Sequence, residues 1–340
     1  MRNEDRETAP AQPLAVISDQ LGDLSLYQLR EFDPGAPADD EVRIAVATAG
    51  VSFVDILNAR GQYQIKAPVP FIPGSEFAGT VVAVGRLVTS VCVGQRVMAS
   101  SWGGAFAEYA LVKADSVSAI PDNMSFDHAA VFKVSALTVW HALVDRGALT
   151  AGEILLVLGA GGATGFAAVQ LGCYLGAKVI ASASTSDKRE LALAAGAQAA
   201  IDTNSPHWRD ELLEATDGQA VDVVFDPVGG EGTVRAFRTL HYGSRHLVVG
   251  FPGGIAALPT NLPLLKNASL VGVNIQAVSQ HRPELALENQ RQVMALAEQG
   301  MLMPAIARQF PLADFMSAMA MVEAGEIAGR VILAVGADRD

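Results

Sequence analysis

The residues with the clearest chemical meaning are the glycines at 159, 161, 162 and 165. An apolar run, Ile154–Leu158, precedes them, and Phe166–Gln170 begins an apolar helical stretch behind them. That order is strand, tight turn, helix start. Small residues let a backbone approach a pyrophosphate, and a helix N-terminus offers free N–H groups with the positive end of its dipole. Gly162, Ala163, Thr164 and Gly165 are therefore the expected phosphate-binding residues. Ala163 keeps the turn if its backbone stays at negative φ. A glycine motif alone is a weak signal, but this one heads a regular βα series.

The end of the next strand decides which dinucleotide fits. An acid there would accept the ribose hydroxyls of NAD. The chain instead runs Ala181-Ser182-Ala183-Ser184-Thr185-Ser186-Asp187-Lys188-Arg189. Hydroxyls and two cations suit a 2′-phosphate, so NADPH is the expected cofactor, with Ser184 and Lys188 at that phosphate. The plainer alternative is that Lys188 and Arg189 are a solvated helix start. Two further loops end later strands: Asp226-Pro227-Val228-Gly229-Gly230 and Phe251-Pro252-Gly253-Gly254. Loops at strand C-termini line the ligand crevice of such sheets, so Asp226, Val228, Phe251 and Gly253 join the expected site.

These loops need a scaffold. Strands are expected at Ile154–Leu158, Val179–Ala183, Ala199–Ile201, Val221–Asp226, His246–Phe251 and Leu270–Ile275. Helices such as Lys188–Ala195 and Glu231–Leu240 lie between them. Strands alternating with helices imply parallel βαβ units, and six such strands make a doubly wound sheet. Ahead of them, Asp127–Leu143 has helical spacing. Earlier still, Glu41–Val46 alternates polar and apolar residues, Thr80–Val84 and Arg96–Met98 look like strands, and the β-rich part ends near Pro121. A last strand, Arg330–Val335, is expected to return to that first part. No charged residue falls between Ile154 and Lys178. That length could span a bilayer, but the glycine cluster would break the helix near its start.

Composition narrows the function. The chain has 340 residues, half of them hydrophobic, enough for two domains with large cores. A net charge of −12 disfavours nucleic acid and anionic membranes as partners, because phosphate neutralisation needs clustered cations. Met1–Pro13 lacks the apolar core of a signal peptide and is expected to be a frayed tail. Cys92 and Cys173 fit a reducing compartment, and the cytoplasm is expected. Histidines 128, 141, 207, 241, 246 and 281 are scattered and no Cys-x-x-Cys occurs, so no metal site is expected. Methionines 294, 301, 303, 316, 319 and 321 cluster late in the chain, as flexible core filler or the lining of a cleft.

Four blocks resemble a known family: Gly50–Asp55 leading to Arg60–Tyr63; Pro73–Gly79 with Val93–Val97; Gly152–Gln170; and Val221–Asp226 with Val228–Gly230. The chain resembles the zinc-independent quinone oxidoreductases of the medium-chain dehydrogenase/reductase superfamily, from about residue 12 to 335. The resemblance implies an α/β protein: a GroES-like, mostly β catalytic domain over 12–136, completed by 278–340, and a Rossmann NADP-binding domain over 137–277. Val51 or Ser52 stands where zinc alcohol dehydrogenases of the superfamily carry Cys, and Ser75 where they carry His. The resemblance also adds Ser52, Thr138, Thr203 and Arg330 to the cofactor set. It departs from the family's pattern at Ser52, commonly Asn, at Thr203, commonly Tyr, and at Ala163-Thr164. Tyr63 is the implied proton donor, by analogy with enoyl-thioester reductases, or else it packs over nicotinamide or substrate. Asp55, Arg60 and Lys133 are further candidates for the catalytic cleft.

The expected activity is NADPH-dependent hydride transfer to quinones or other α,β-unsaturated carbonyl compounds. An enoyl-thioester reductase and an NADPH-binding structural or regulatory protein are the alternatives. A homodimer is expected, joined through the apolar edge strand at Leu270–Val273.

Overall fold

A computed structural model describes residues 12–336 of the chain, so all but the end of the expected N-terminal tail lies outside the described residues. The described chain forms two compact units, one of 12–119, 309–323 and 332–336, the other of 120–308 and 324–331. Residues 120–136, 278–308 and 324–331, expected in the GroES-like domain, thus fall in the second unit.

In the first unit β1 (Leu14–Ile17) pairs antiparallel with β2 (Gln28–Glu31). The alternating stretch forms β3 (Glu41–Val51), with Val42, Ile44 and Val46 buried as a period of two requires. A helix, α1 (Phe53–Ala59), leads to β4 (Glu76–Val84), β5 (Arg96–Ser100), β6 (Tyr109–Lys113) and β7 (Val117–Ala119). β3 and β4 run antiparallel so closely that a Cβ at Gly79 would lie 2.0 Å from the Ala45 carbonyl oxygen.

The second unit opens with α2 (Phe126–Ala129) and α3 (Lys133–Trp140), followed by a π-helical turn at His141–Arg146. The single helix expected over Asp127–Leu143 is therefore broken, because Ser125 caps a short first helix that stops at Ala130. The series then runs β8 (Ile154–Leu158), α4 (Ala163–Tyr174), β9 (Lys178–Ala183), α5 (Ser186–Ala194), β10 (Ala199–Asp202), α6 (Trp208–Ala215), β11 (Val221–Asp226), α7 (Glu231–Phe237) and β12 (Leu240–Val248). After it come α8 (Asn261–Lys266), β13 (Ser269–Gly272), α9 (Ile275–His281) and α10 (Pro283–Glu298). The six strands are parallel in the order β10-β9-β8-β11-β12-β13. All of β8 is buried, as an Ile-Leu-Leu-Val-Leu strand covered on both faces should be. A core of Leu156, Ile180, Trp208, Val224 and Phe237 packs against this sheet.

The largest boundary differences from expectation fall at β12 and β13. β12 starts at Leu240, opposite Val221, and a register shift carries the chain to Arg245 opposite Val223. It stops at Val248 because the amides of Val249 and Gly250 turn to the Asp226 carbonyl oxygen. β13 stops at Gly272, and Asn274 caps a helix that already contains Ile275. The charge-free stretch from Ile154 is β8, a turn and α4, and among the described residues no helix is long and apolar enough to cross a membrane.

The last elements are β14 (Ile306–Pro311), α11 (Phe315–Ala324) and β15 (Arg330–Ala334). The expected final strand is β15. It completes a seven-stranded sheet in the order β14-β15-β3-β4-β5-β7, with β6 on β3. The late methionines do not share one surface: Met319 is buried, while Met301 and Met316 are exposed.

Candidate active site

Gly159 makes the turn after β8, at φ +60°. A Cβ on Gly165 would lie 2.1 Å from the Gly159 carbonyl oxygen, so α4 can dock on the turn only because position 165 has no side chain. Gly162 is the N-cap at φ −89°, and Ala163 enters the helix at negative φ, which resolves its departure from the glycine pattern. No side chain caps α4, and its first turn carries no acid. Its leading N–H groups meet the requirement for a pyrophosphate. This turn lies where the strand order reverses between β8 and β11, the usual ligand crevice of such sheets.

The tip of β9 carries no acid, and Ser184 is exposed. Thr185 caps α5, its Oγ1 accepting from the Lys188 amide. The Lys188 side chain lies over Gly161, where a Cβ would meet its Cγ at 2.4 Å. Its Nζ donates to the Gly325 carbonyl, and burial lowers its pKa against the pull of Glu326. Arg189 is committed elsewhere, donating to the Ala183 carbonyl at 3.1 Å and pairing with Asp202 at 3.2 Å. Lys188 thus lies over the glycine turn, and Arg189 serves the sheet. The Thr203 hydroxyl shares a hydrogen bond with buried Ser182, at 2.9 Å.

Asp226 is fully buried. Its Oδ1 accepts from the amides of Val228 (2.9 Å) and Gly229 (2.8 Å), and its Oδ2 from Thr233 Oγ1 (2.5 Å) and His246 Nε2 (3.0 Å). Burial opposes ionisation, but the bonds from His246, Gly229 and Thr233 outweigh it and hold the carboxyl below its ordinary range. Both oxygens of Asp226 are thus bonded inside the protein, where they shape the loop that carries Val228 and Gly229. The two glycine loops join: Gly230 N donates to the Gly254 carbonyl and Gly253 N to the Val228 carbonyl, each at 2.8 Å. Gly229 and Gly230 hold φ of +76° and +63°, and a Cβ on either would strike carbonyl oxygens of Gly253 or Gly254. Phe251 stays half exposed beside them.

Arg330 is buried, and its Nη1 reaches Ser135 Oγ at 3.3 Å. Arg330, Ser135, Gly162 and Ala163 line one cavity, so the structure brings Arg330 to the head of α4. Thr138 lies one turn further along α3, buried, its hydroxyl donating to the Val134 carbonyl at 2.7 Å. Lys133 is buried at the start of the same helix.

The first unit holds the other candidates. Ser52 and Asp55 form a capping box on α1: Ser52 N and Oγ donate to Asp55 Oδ2 at 2.8 and 2.6 Å, and Asp55 N donates to Ser52 Oγ at 3.2 Å. Asp55 is 1% exposed; burial pushes its pKa up, against bonds from Ser52 and Ser75. It caps α1 and is buried there. Arg60 makes a two-pronged pair with Glu323, which occupies the guanidinium expected in the cleft. Tyr63 differs from both. It is half buried and packs against Trp102, ring centroids 5.8 Å apart at 50°.

Sequence reasoning missed Trp102, His246, Thr233 and Glu323. Thr233 and Glu231 at a helix start gave a local cue, but the pairing of Asp226 with His246 spans 20 residues and left no motif. Among the described residues no group of three or more His, Cys, Asp or Glu could hold a metal ion.

A GroES-like β unit and a six-stranded parallel sheet with an open glycine turn define a dinucleotide-dependent oxidoreductase fold. Two family models match the chain: an alcohol dehydrogenase GroES-like domain over residues 38–122, and a zinc-binding dehydrogenase domain over 163–290. A mouse quinone oxidoreductase-like protein 2 is 35% identical over 309 residues, covering 90% of this chain and 88% of that protein. Escherichia coli quinone oxidoreductase, solved in complex with NADPH, superposes with a TM-score of 0.86 at 27% identity, covering 94% of this chain and 99% of that one. The CurK enoyl reductase gives 0.86 at 25% identity, covering 96% of this chain and all of the other. The chain belongs to the quinone oxidoreductase-like family of the medium-chain dehydrogenase/reductase superfamily.

Proposed function

We propose that the protein is an NADPH-dependent, zinc-independent reductase of quinones or other α,β-unsaturated carbonyl compounds. The observation that carries this reading is the uncapped start of α4 beside an acid-free β9 tip, with Ser184 and Lys188 adjoining. The glycine turn suits a pyrophosphate, since the lack of a side chain at 165 lets the open start of α4 sit directly against the turn. In this reading the amides of residues 163–165 hold the pyrophosphate, and Ser184 and Lys188 hold the 2′-phosphate. When bound, the nicotinamide supplies a hydride. Metal-free hydride transfer asks the protein to orient acceptor and cofactor and to support negative charge growing on the acceptor oxygen. Tyr63 is the proposed proton donor. Its phenol can hydrogen-bond that oxygen and release a proton. Trp102 holds the ring by packing, so the hydroxyl needs no other anchor.

A second reading, enoyl-thioester reduction, is favoured by the similarity to an enoyl reductase at 25% identity. NADPH oxidation with a quinone, a simple enone and an enoyl-CoA separates the readings. Turnover with quinone and enone is expected. Turnover with enoyl-CoA alone would favour the second reading, and none with any acceptor would overturn both. We also expect a homodimer. β13 is the sheet edge and Leu270 is half exposed on it, so a second copy would cover it. Light scattering at micromolar concentration checks this, and a monomer mass would count against it.

A further inference from the structure

The parallel sheet has a second opening, at the end away from the glycine loops. There β11 begins at Val221 and β12 at Leu240. A cavity of about 180 Å³ lies at these strand starts, against α6. Arg209, Arg238 and Lys266 line it, and none of its lining residues is acidic. Leu212, Leu213 and Leu240 supply apolar wall.

Three cations at one cavity are unexpected in a chain of net charge −12. Seven arginines elsewhere contact a carboxylate, namely Arg30, Arg43, Arg60, Arg86, Arg189, Arg245 and Arg291, while Arg146 and Arg235 are held by backbone carbonyls. Arg209 and Arg238 make no ion pair among the described residues. Lys266 Nζ donates to the Leu240 carbonyl at 2.5 Å, which fixes the ammonium at the cavity and leaves it two further N–H groups. Unpaired like charges around a concave, partly apolar wall repel one another and concentrate a positive potential. An anion inside would relieve both. Guanidinium forks match carboxylate and phosphate oxygens two at a time.

We propose that this cavity is a binding site for a small organic polyanion, distinct from the dinucleotide site at the opposite strand ends. Its anionic groups lie among Arg209, Arg238 and Lys266, and its short carbon skeleton on Leu212, Leu213 and Leu240. The cavity is smaller than the roughly 300–1,000 Å³ of sites for drug-sized ligands, so the occupant is smaller than a nucleotide. The shared chemistry is two or more negative charges on a few carbons, as in a di- or tricarboxylate or a phosphate monoester.

The test is calorimetric titration of the full chain with citrate, glycerol 3-phosphate and inorganic phosphate, at ionic strength matched with sodium chloride and with NADPH present. Citrate or glycerol 3-phosphate is expected to bind tighter than inorganic phosphate, and the tighter of the two assigns carboxylate or phosphate as the source. Arg209→Gln/Arg238→Gln is expected to weaken binding at least tenfold while NADPH affinity stays at the wild-type value. Both side chains are exposed at the rim, so the variant should fold, and the single variants should each show part of the loss. Three results would each overturn the proposal: no probe binding above the chloride control, inorganic phosphate alone binding, or the double variant binding as well as wild type.

Discussion

The glycine loops of the second unit and residues 52–63 of the first are built in opposite ways. In the loops the working surface is backbone: amides of α4 left open, glycines with no room for a Cβ, and two turns bonded to each other. Side chains there work from behind, as Asp226, Thr233 and His246 do. In residues 52–63 Ser52 bonds to Asp55 and Arg60 to Glu323, and of the expected catalytic groups there Tyr63 makes a ring contact, with Trp102. A backbone site should therefore fail when its shape changes, wherever the substitution lies. A side-chain site should fail at one position and tolerate change at its neighbours.

The largest effect should come from Asp226→Ala. It leaves buried His246, Thr233 and two amides without their acceptor, and each buried polar group left unsatisfied costs about 1–3 kcal/mol. Urea unfolding at pH 7 should show that loss. The folded-state pKa of Asp226 is depressed, so its stabilisation is complete above the unfolded value of about 3.9 and disappears as pH falls through the folded value. The gap between variant and wild type should accordingly close in strong acid. A gap that persists unchanged at pH 2 would mean the loop does not depend on the ionised carboxylate.

Gly165→Ala comes next. Its Cβ would sit 2.1 Å from the Gly159 carbonyl, and shifting α4 should lower NADPH affinity about a hundredfold, roughly 2.7 kcal/mol. Fluorescence titration reads this, and unchanged affinity would remove the turn from the cofactor site. Tyr63→Phe should lower enone turnover about tenfold, roughly 1.4 kcal/mol, with cofactor affinity retained. Quinone turnover should fall less, since hydroquinone oxygens take protons from water. Equal, wild-type rates on both acceptors would leave a first-unit site that works by orientation alone.

If Lys188 holds the 2′-phosphate as proposed, Lys188→Ala should reduce the preference for NADPH over NADH by about fivefold, roughly 1 kcal/mol. Paired titrations with the two cofactors check it, and an NADH preference in the wild type would defeat the assignment outright. The smallest effect belongs to Arg60→Ala. Its pair with Glu323 is at the surface and is worth about 1 kcal/mol or less. Turnover should change less than twofold; a large fall would return Arg60 to the catalytic set.

The sequence alone determined the parallel series and its glycine turn. β8 and β11 ended where the apolar runs ended, because a strand buried on both faces leaves a continuous hydrophobic signature. The turn was legible because the exclusion of a side chain at Gly165 and the helix entry at Ala163 are local; Ser52 and Asp55, expected at the cofactor and in the cleft, proved to cap α1. Only the tertiary structure decided what each polar group does. Asp226 meets His246 across 20 residues and Arg60 meets Glu323 across 263, and no periodicity carries such pairings. Whether a carboxylate or guanidinium is free for chemistry depends on the partner that folding brings to it, and that partner is set by the packing of distant elements.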